Sequence, residues 1–209
     1  MYSVQRCVDA WLEVLWPARC IACDDISAGS IFCRYCEPSI RFSETAEALL
    51  NFSGPIQKVI QQAKFQPDEI KARLLMRYLQ NLTFPQEIQS NLNGIVFVPT
   101  HWRRRLKRGF DLSAIFALFL SRKLHLPVLD WLRNTRLDPA LTLAASKKER
   151  MEMTQGRYQM RIQKSAPSHV LLVDDVMTTG ATLESARFVL NASGHQVTCF
   201  VLAKTLLRN

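Results

Sequence analysis

The chain has 209 residues, 48% of them apolar, with 27 lysines and arginines against 18 acids, a formal net charge of +9 and a pI near 9.5. That length accommodates one α/β domain plus something small, and the apolar content excludes a disordered chain. The basic balance favours encounters with nucleic acid, phosphate esters or membrane surfaces, and bears on partners rather than on fold.

Residues 1–15 carry a helical apolar pattern, Val4, Val8, Trp11, Leu12 and Leu15, ended by Trp16-Pro17. Asp9 and Glu13 interrupt it and no basic stretch precedes it, so it does not read as a signal peptide. The longest apolar run, Leu112–Leu120, falls short of the ~18–20 residues that cross a bilayer. No membrane span is expected, and the chain reads as cytoplasmic.

Cys20, Cys23, Cys33 and Cys36 come next, two C-x-x-C pairs separated by nine residues. Four converging thiolates suit a closed, structural, tetrahedral Zn²⁺ site. Disulfides do not fit a cytosolic chain, and a redox-active pair is the competing reading. Cys7 and Cys199 read as small buried side chains. Residues 1–40 are taken as the helix and zinc module, and 41–209 as the main domain.

Arg41–Ser53 should be extended or partly helical. Pro55 starts a helix to about Phe65, and Pro67 with Asp68 starts another to about Leu82. Gly94–Pro99 is a short apolar strand. At its end lies a basic turn, in which Trp102 precedes the cations Arg103, Arg104, Arg105, Lys107 and Arg108. Three readings stand: a solvated charge run at a helix start, a grip on pyrophosphate, or a grip on a nucleic-acid backbone with Trp102 and Phe110 stacking on bases. Residue statistics put Trp102 and Trp131 in or near the core, and make His101 a capping or surface histidine.

Asp111–Leu124 is an amphipathic helix with Leu112, Ile115, Phe116, Phe119 and Leu120 on one face. Pro127–Leu129 is a short strand. Arg133–Ala166 has no clear period, and its basic residues Lys147, Lys148, Arg150, Arg157, Arg161 and Lys164 would extend a basic groove. A strand begins near His169, a helix spans about Leu183 to Ser193 with Gly194 as its cap, and a last strand is Gln196–Lys204. Strands alternating with helices predict a parallel sheet with ligands at the carboxyl ends of its strands.

The most informative stretch is His169–Thr182. The apolar run Val170–Val173 meets Asp174 and Asp175, and Thr178, Thr179, Gly180, Ala181 and Thr182 lead into a helix. Free N–H groups and the dipole at a helix N-terminus favour an anion, and threonines add donors. Gly180 permits close backbone approach. The acids suit sugar hydroxyls or hydrated Mg²⁺ instead. A ribose 5-phosphate such as 5-phosphoribosyl-1-pyrophosphate (PRPP) combines these features. A strand-turn-helix joint with Asp and Thr as caps is the plain alternative.

This stretch resembles the PRPP-binding signature of type I phosphoribosyltransferases. The resemblance implies that Asp174 and Asp175 meet the ribose, as catalytic residues, and that Thr178–Thr182 hold the 5-phosphate, with Mg²⁺ accompanying PRPP. A cysteine module ahead of such a domain resembles the ComF family of competence proteins over nearly the whole chain. The likeness rests on the four cysteines, Lys64-Phe65, Val98-Pro99, Arg108-Gly109-Phe110 and the signature itself. It implies an α/β, parallel-sheet, type I phosphoribosyltransferase-like domain with a small N-terminal four-cysteine zinc module. It further implies a role on imported single-stranded DNA in natural transformation, beside other competence or recombination proteins. Asp111-Leu112 stands where the family has Asn-Gln. Downstream, Arg150 keeps an arginine, Met153 replaces an asparagine, Arg157-Tyr158 replaces Ala-Phe, and no glutamine matches around Pro139–Leu143. In phosphoribosyltransferases this segment closes over the reacting centre, so its divergence weighs for binding over phosphoribosyl transfer to an acceptor.

Overall fold

The computed structural model describes residues 18–66, 68–82, 84, 88, 91–135, 156–161, 166 and 168–206. In chain order the elements are β1 (Ala48–Asn51), α1 (Gly54–Phe65), α2 (Glu69–Tyr78), β2 (Gly94–Phe97), α3 (Trp102–Arg108), α4 (Leu112–Leu124), β3 (Val128–Leu129), β4 (Leu132–Asn134), β5 (Tyr158–Met160), β6 (His169–Met177), α5 (Ala181–Ala192) and β7 (Gln196–Lys204). The helix read over 1–15, Cys7, Lys147, Lys148, Arg150 and Lys164 lie outside the described residues.

The main sheet is parallel throughout, in the order β1-β7-β6-β2-β3. The first half of β6, Val170–Val173, reads as an unbroken apolar run because both of its faces are covered. Leu171 and Val173 join the core on one side with Ile56, Ile60, Leu75 and Phe116 from α1, α2 and α4. Val170 and Leu172 join the core on the other with Leu183, Ala186 and Leu190 from α5. The period-2 alternation of a strand thus makes three layers. The cysteine segment belongs to the first core: Cys20, Phe32 and Cys33 are buried in it, and Phe32 meets Tyr78 edge-on with ring centroids 4.8 Å apart.

Several boundaries differ from the sequence reading for local reasons. α2 starts at the expected place, where the Asp68 side chain caps Lys71 N–H, but ends at Tyr78 and tightens into a 3-10 turn over Leu79–Asn81. α5 begins at Ala181, two residues before Leu183, because Gly180 supplies a left-handed cap with φ of 79°. A Cβ at Gly180 would meet only Met177 Sδ at 3.7 Å, so the glycine serves this backbone angle more than a close approach. The unpatterned region contributes an antiparallel pair, β4 with β5. Three-residue strands are too short to show a period.

Candidate functional site

The site forms where neighbouring strands stop at different heights. The β2–β6 ladder ends at Phe97 with Val173, whereas β6 continues along β7 to Met177 with Lys204. Asp174 and Asp175 therefore lie within β6 and not at its end, but they overhang the end of β2. A cleft of about 200 Å³ opens there, lined by Asp174, Asp175, Thr182, Arg104, Arg108, Lys64, Asn134, Arg157 and Tyr158 among others. It brings together two acids, one signature threonine and two cations of the basic turn. Thr178 is exposed, and Thr179, Gly180 and Ala181 are not among the residues lining it.

Each acid is held by a separate helix. Lys64 Nζ, from the last turn of α1, donates to Asp175 Oδ1 at 2.7 Å. Ser113 Oγ of α4 and the Asp175 N–H both donate to Asp174 Oδ1 at 2.8 Å. Burial, then the charge of Asp175, pushes the Asp174 carboxyl up to about 7, against the pull of Lys64 and the Ser113 hydroxyl. The unfolded chain loses this proton near pH 4, at roughly the ordinary value of 3.9. The native chain holds a proton that the unfolded chain has shed, so stability falls as pH rises from about 4 to about 7. Asp174→Asn keeps an oxygen for Ser113 and removes the buried charge. Thermal unfolding across this window is expected to show a flatter pH dependence for the variant, and a higher midpoint above pH ~7. Equal slopes in the two proteins would refute the assignment.

The basic turn is the helix α3, with His101 as its N-cap: Nδ1 accepts from the Arg103 N–H at 3.3 Å. His101 caps the helix, as expected, and is itself buried. α3 has two distinct faces. Arg104 and Arg108, one turn apart, look into the cleft. Trp102, Arg103, Arg105, Leu106 and Lys107 line no part of it, and the Arg103 guanidinium lies 5.3 Å from the centre of the Trp102 ring. Two expectations are corrected here. Trp102 is 56% exposed, because the short helix past the carboxyl end of β2 buries none of its residues, while Phe110 is buried in the core and is not available to stack.

Asp111 is the main residue that the sequence reading left without a role. Its Oδ2 accepts from the Thr100 N–H at 2.7 Å and its Oδ1 from the Ser113 N–H at 3.2 Å, which clasps the two ends of the α3 segment while capping α4. Burial pushes its carboxyl up, against the N–H of Thr100, and Asp175 adds to the rise. An aspartate ahead of an apolar helical pattern signals an N-cap. Nothing in that signal places a third carboxyl beside Asp174 and Asp175. Asn134 was equally hidden; its Nδ2 donates to the Pro99 carbonyl at 3.2 Å and ties β4 to the cleft wall.

The four cysteines converge. All their sulfurs lie within 4.8 Å of one another, and those of Cys23 and Cys33 are 3.6 Å apart. A Zn–S length of about 2.3 Å sets tetrahedral sulfurs about 3.8 Å apart, so the donor set fits zinc. Two tight turns create this: Asp24 N–H bonds to the Cys20 carbonyl, and Cys36 and Glu37 N–H to that of Cys33. The N–H groups of Cys36 and Tyr35 bring the Cys33 thiol down to about 7, which favours the thiolate. Burial and the neighbouring sulfurs push Cys36 up.

No family model matches the chain. The DNA utilization protein YhgH of Escherichia coli K12 is 31% identical over 163 residues, covering 75% of this chain and 70% of that protein. Competence protein F of Haemophilus influenzae is 27% identical over 150 residues, covering 69% of this chain and 65% of that one. Among solved structures, orotate phosphoribosyltransferase from Aeropyrum pernix aligns with a TM-score of 0.39 at 18% identity, over 73% of this chain and 66% of that one. An adenine phosphoribosyltransferase from Saccharomyces cerevisiae aligns with a TM-score of 0.39 at 14% identity, over 68% and 72%. Among the described residues no helix is long and apolar enough to cross a membrane.

Proposed function

The chain belongs to the ComF family of competence and DNA utilization proteins, and on that premise we propose that it binds PRPP, or a ribose 5-phosphate, in the β6 cleft and handles imported single-stranded DNA in the cytoplasm during natural transformation. The carrying observation is the meeting of a carboxylate pair with Thr182, Arg104 and Arg108 in one cleft. Carboxylates accept from a diol, and cations with a helix N-terminus take phosphates. In this reading Asp174 and Asp175 meet the ribose hydroxyls and the loop Thr178–Thr182 takes the 5-phosphate. Arg104 and Arg108 meet the pyrophosphate. Asp174 and Asp175 would hold the waters of a Mg²⁺ ion, which would supply neutralising charge to the pyrophosphate. Zn²⁺ on the four cysteines is structural.

DNA belongs to the other face of α3. Trp102 offers a ring for stacking, and Arg103, Arg105 and Lys107 offer phosphate contacts. The cations in the cleft also favour a second reading, phosphoribosyl transfer. In that reaction the bond from ribose C1 to pyrophosphate breaks, the electron pair leaves with pyrophosphate, and an acceptor adds at C1. Pyrophosphate release in the presence of an acceptor is its signature.

Isothermal titration with PRPP plus Mg²⁺, and separately with single-stranded DNA, tests the division. Arg104→Ala with Arg108→Ala is expected to lose PRPP and retain most DNA affinity. Arg103→Ala with Arg105→Ala and Lys107→Ala is expected to keep PRPP and flatten the log-affinity against log-salt slope by roughly 0.7 per lost phosphate contact. Trp102→Ala should weaken DNA binding with little change of slope. Unchanged DNA affinity and slope in the outer-face triple variant would move the DNA elsewhere.

A further inference from the structure

A groove larger than the cleft lies between α2 and α4, with a volume of about 530 Å³. Arg73, Arg77, Arg122 and Lys123 rim it, and Met76, Leu118 and Phe119 line its floor. Helical spacing dictates the pattern: on α4, Leu118 and Phe119 sit one turn before Arg122 and Lys123, so an apolar stripe runs into a cationic edge. Among the described residues no acidic side chain lines the groove. Glu69 pairs with Arg73 from one turn away on α2, and among the described residues no acid forms an ion pair with Arg77, Arg122 or Lys123. Leu118 is 49% exposed, so fold stability gains little from an apolar residue there.

We infer that this groove docks an acidic peptide with apolar anchor residues, presented by a partner protein. The floor suits a leucine or phenylalanine side chain, and Met76 can adapt to either. The rim suits flanking carboxylates, which arginine binds through two parallel hydrogen bonds. Arginine, methionine and aromatic residues are also what protein interfaces enrich. A nucleic-acid backbone fits less well, because it brings no apolar side chain to the floor of Met76, Leu118 and Phe119. A second copy of this chain is disfavoured by a net charge of +9 on each. The groove shares no lining residue with the β6 cleft, so the inference does not depend on what the cleft binds.

The test uses the full chain and a short fluorescent peptide of aspartates ending in leucine and phenylalanine, followed by anisotropy. The matched peptide with lysines for aspartates is the control. The acidic peptide should bind, weaken as salt rises, and lose roughly tenfold or more in affinity in Arg77→Glu with Arg122→Glu. Leu118→Asp should abolish binding. Circular dichroism and thermal unfolding check that the fold is intact in each variant. Absence of binding at low salt, or equal binding by wild type and the charge-reversed variant, overturns the inference. So does loss of single-stranded DNA affinity in that variant without loss of peptide, which would make the groove a nucleic-acid surface. A concentration-dependent dimer in sedimentation, abolished by Leu118→Asp, would make the occupant a second copy and also overturn it.

Discussion

Replacing Cys20 and Cys33 by serine is expected to remove about one zinc per chain and to unfold the segment from residue 18 to about residue 40. Both cysteines are buried, so the hydroxyls would enter a core without sulfur's soft coordination. Structural zinc contributes on the order of 10 kcal/mol in small modules, comparable to the ~5–15 kcal/mol net stability of a whole domain. The damage should spread, because Phe32 packs on Tyr78 and Lys71 of α2 reaches Asp24 of the module at 3.4 Å. Elemental analysis gives the metal, and limited proteolysis gives the local unfolding. Freshly purified, unchelated wild type without zinc would sink the idea. If that protein carried a reversible disulfide instead, the redox reading would take its place.

Asp174→Asn with Asp175→Asn is expected to weaken PRPP binding by roughly a hundredfold or more, since hydrogen bonds to charged groups contribute about 1.5–3 kcal/mol each. The shape of the cleft barely changes. The two amides keep an acceptor each but lose the charge that favours sugar hydroxyls and hydrated Mg²⁺. Stability should change little: Lys64 loses its ion partner, but its side chain is 23% exposed and can turn to water, while two crowded carboxylates no longer repel. Titration with PRPP plus Mg²⁺ reads the affinity, and thermal unfolding reads the fold. Unaltered affinity would reduce the acids to caps of a strand-turn-helix joint.

What the sequence disclosed follows from the range of the forces involved. The signature from Val170 to Thr182 and the paired cysteines are contiguous, and local spacing fixes their geometry. Strand β7 and helix α1 match their expected spans to within a residue because a strong apolar pattern and a proline mark them. The two faces of α3 are not legible: six residues with five cations look uniform until the helix phase separates Arg104 and Arg108 from Arg103 and Lys107. Lys64 stands out in the sequence without a role, since its carboxylate lies 111 residues away. Asp111 looks like a mere departure from the family pattern and proves to be a clasp. Trp102 defies the residue statistics because they average over proteins and cannot see that α3 stands beyond the sheet.

The order of the strands has a consequence for synthesis. β1 is the first of the described strands and its sheet partner, β7, is the last. β6 is likewise complete only when β7 lies beside it. On the ribosome, β1 therefore waits for nearly all of the described chain, and the apolar run Val170–Val173 emerges with one edge bare. Non-local pairing of this kind folds slowly and leaves sticky edges during the wait. The carboxylates of the cleft, carried on β6, reach their final height only once β7 has been made. Nascent chains stalled before β7 are therefore expected to engage holdase chaperones and to bind no PRPP.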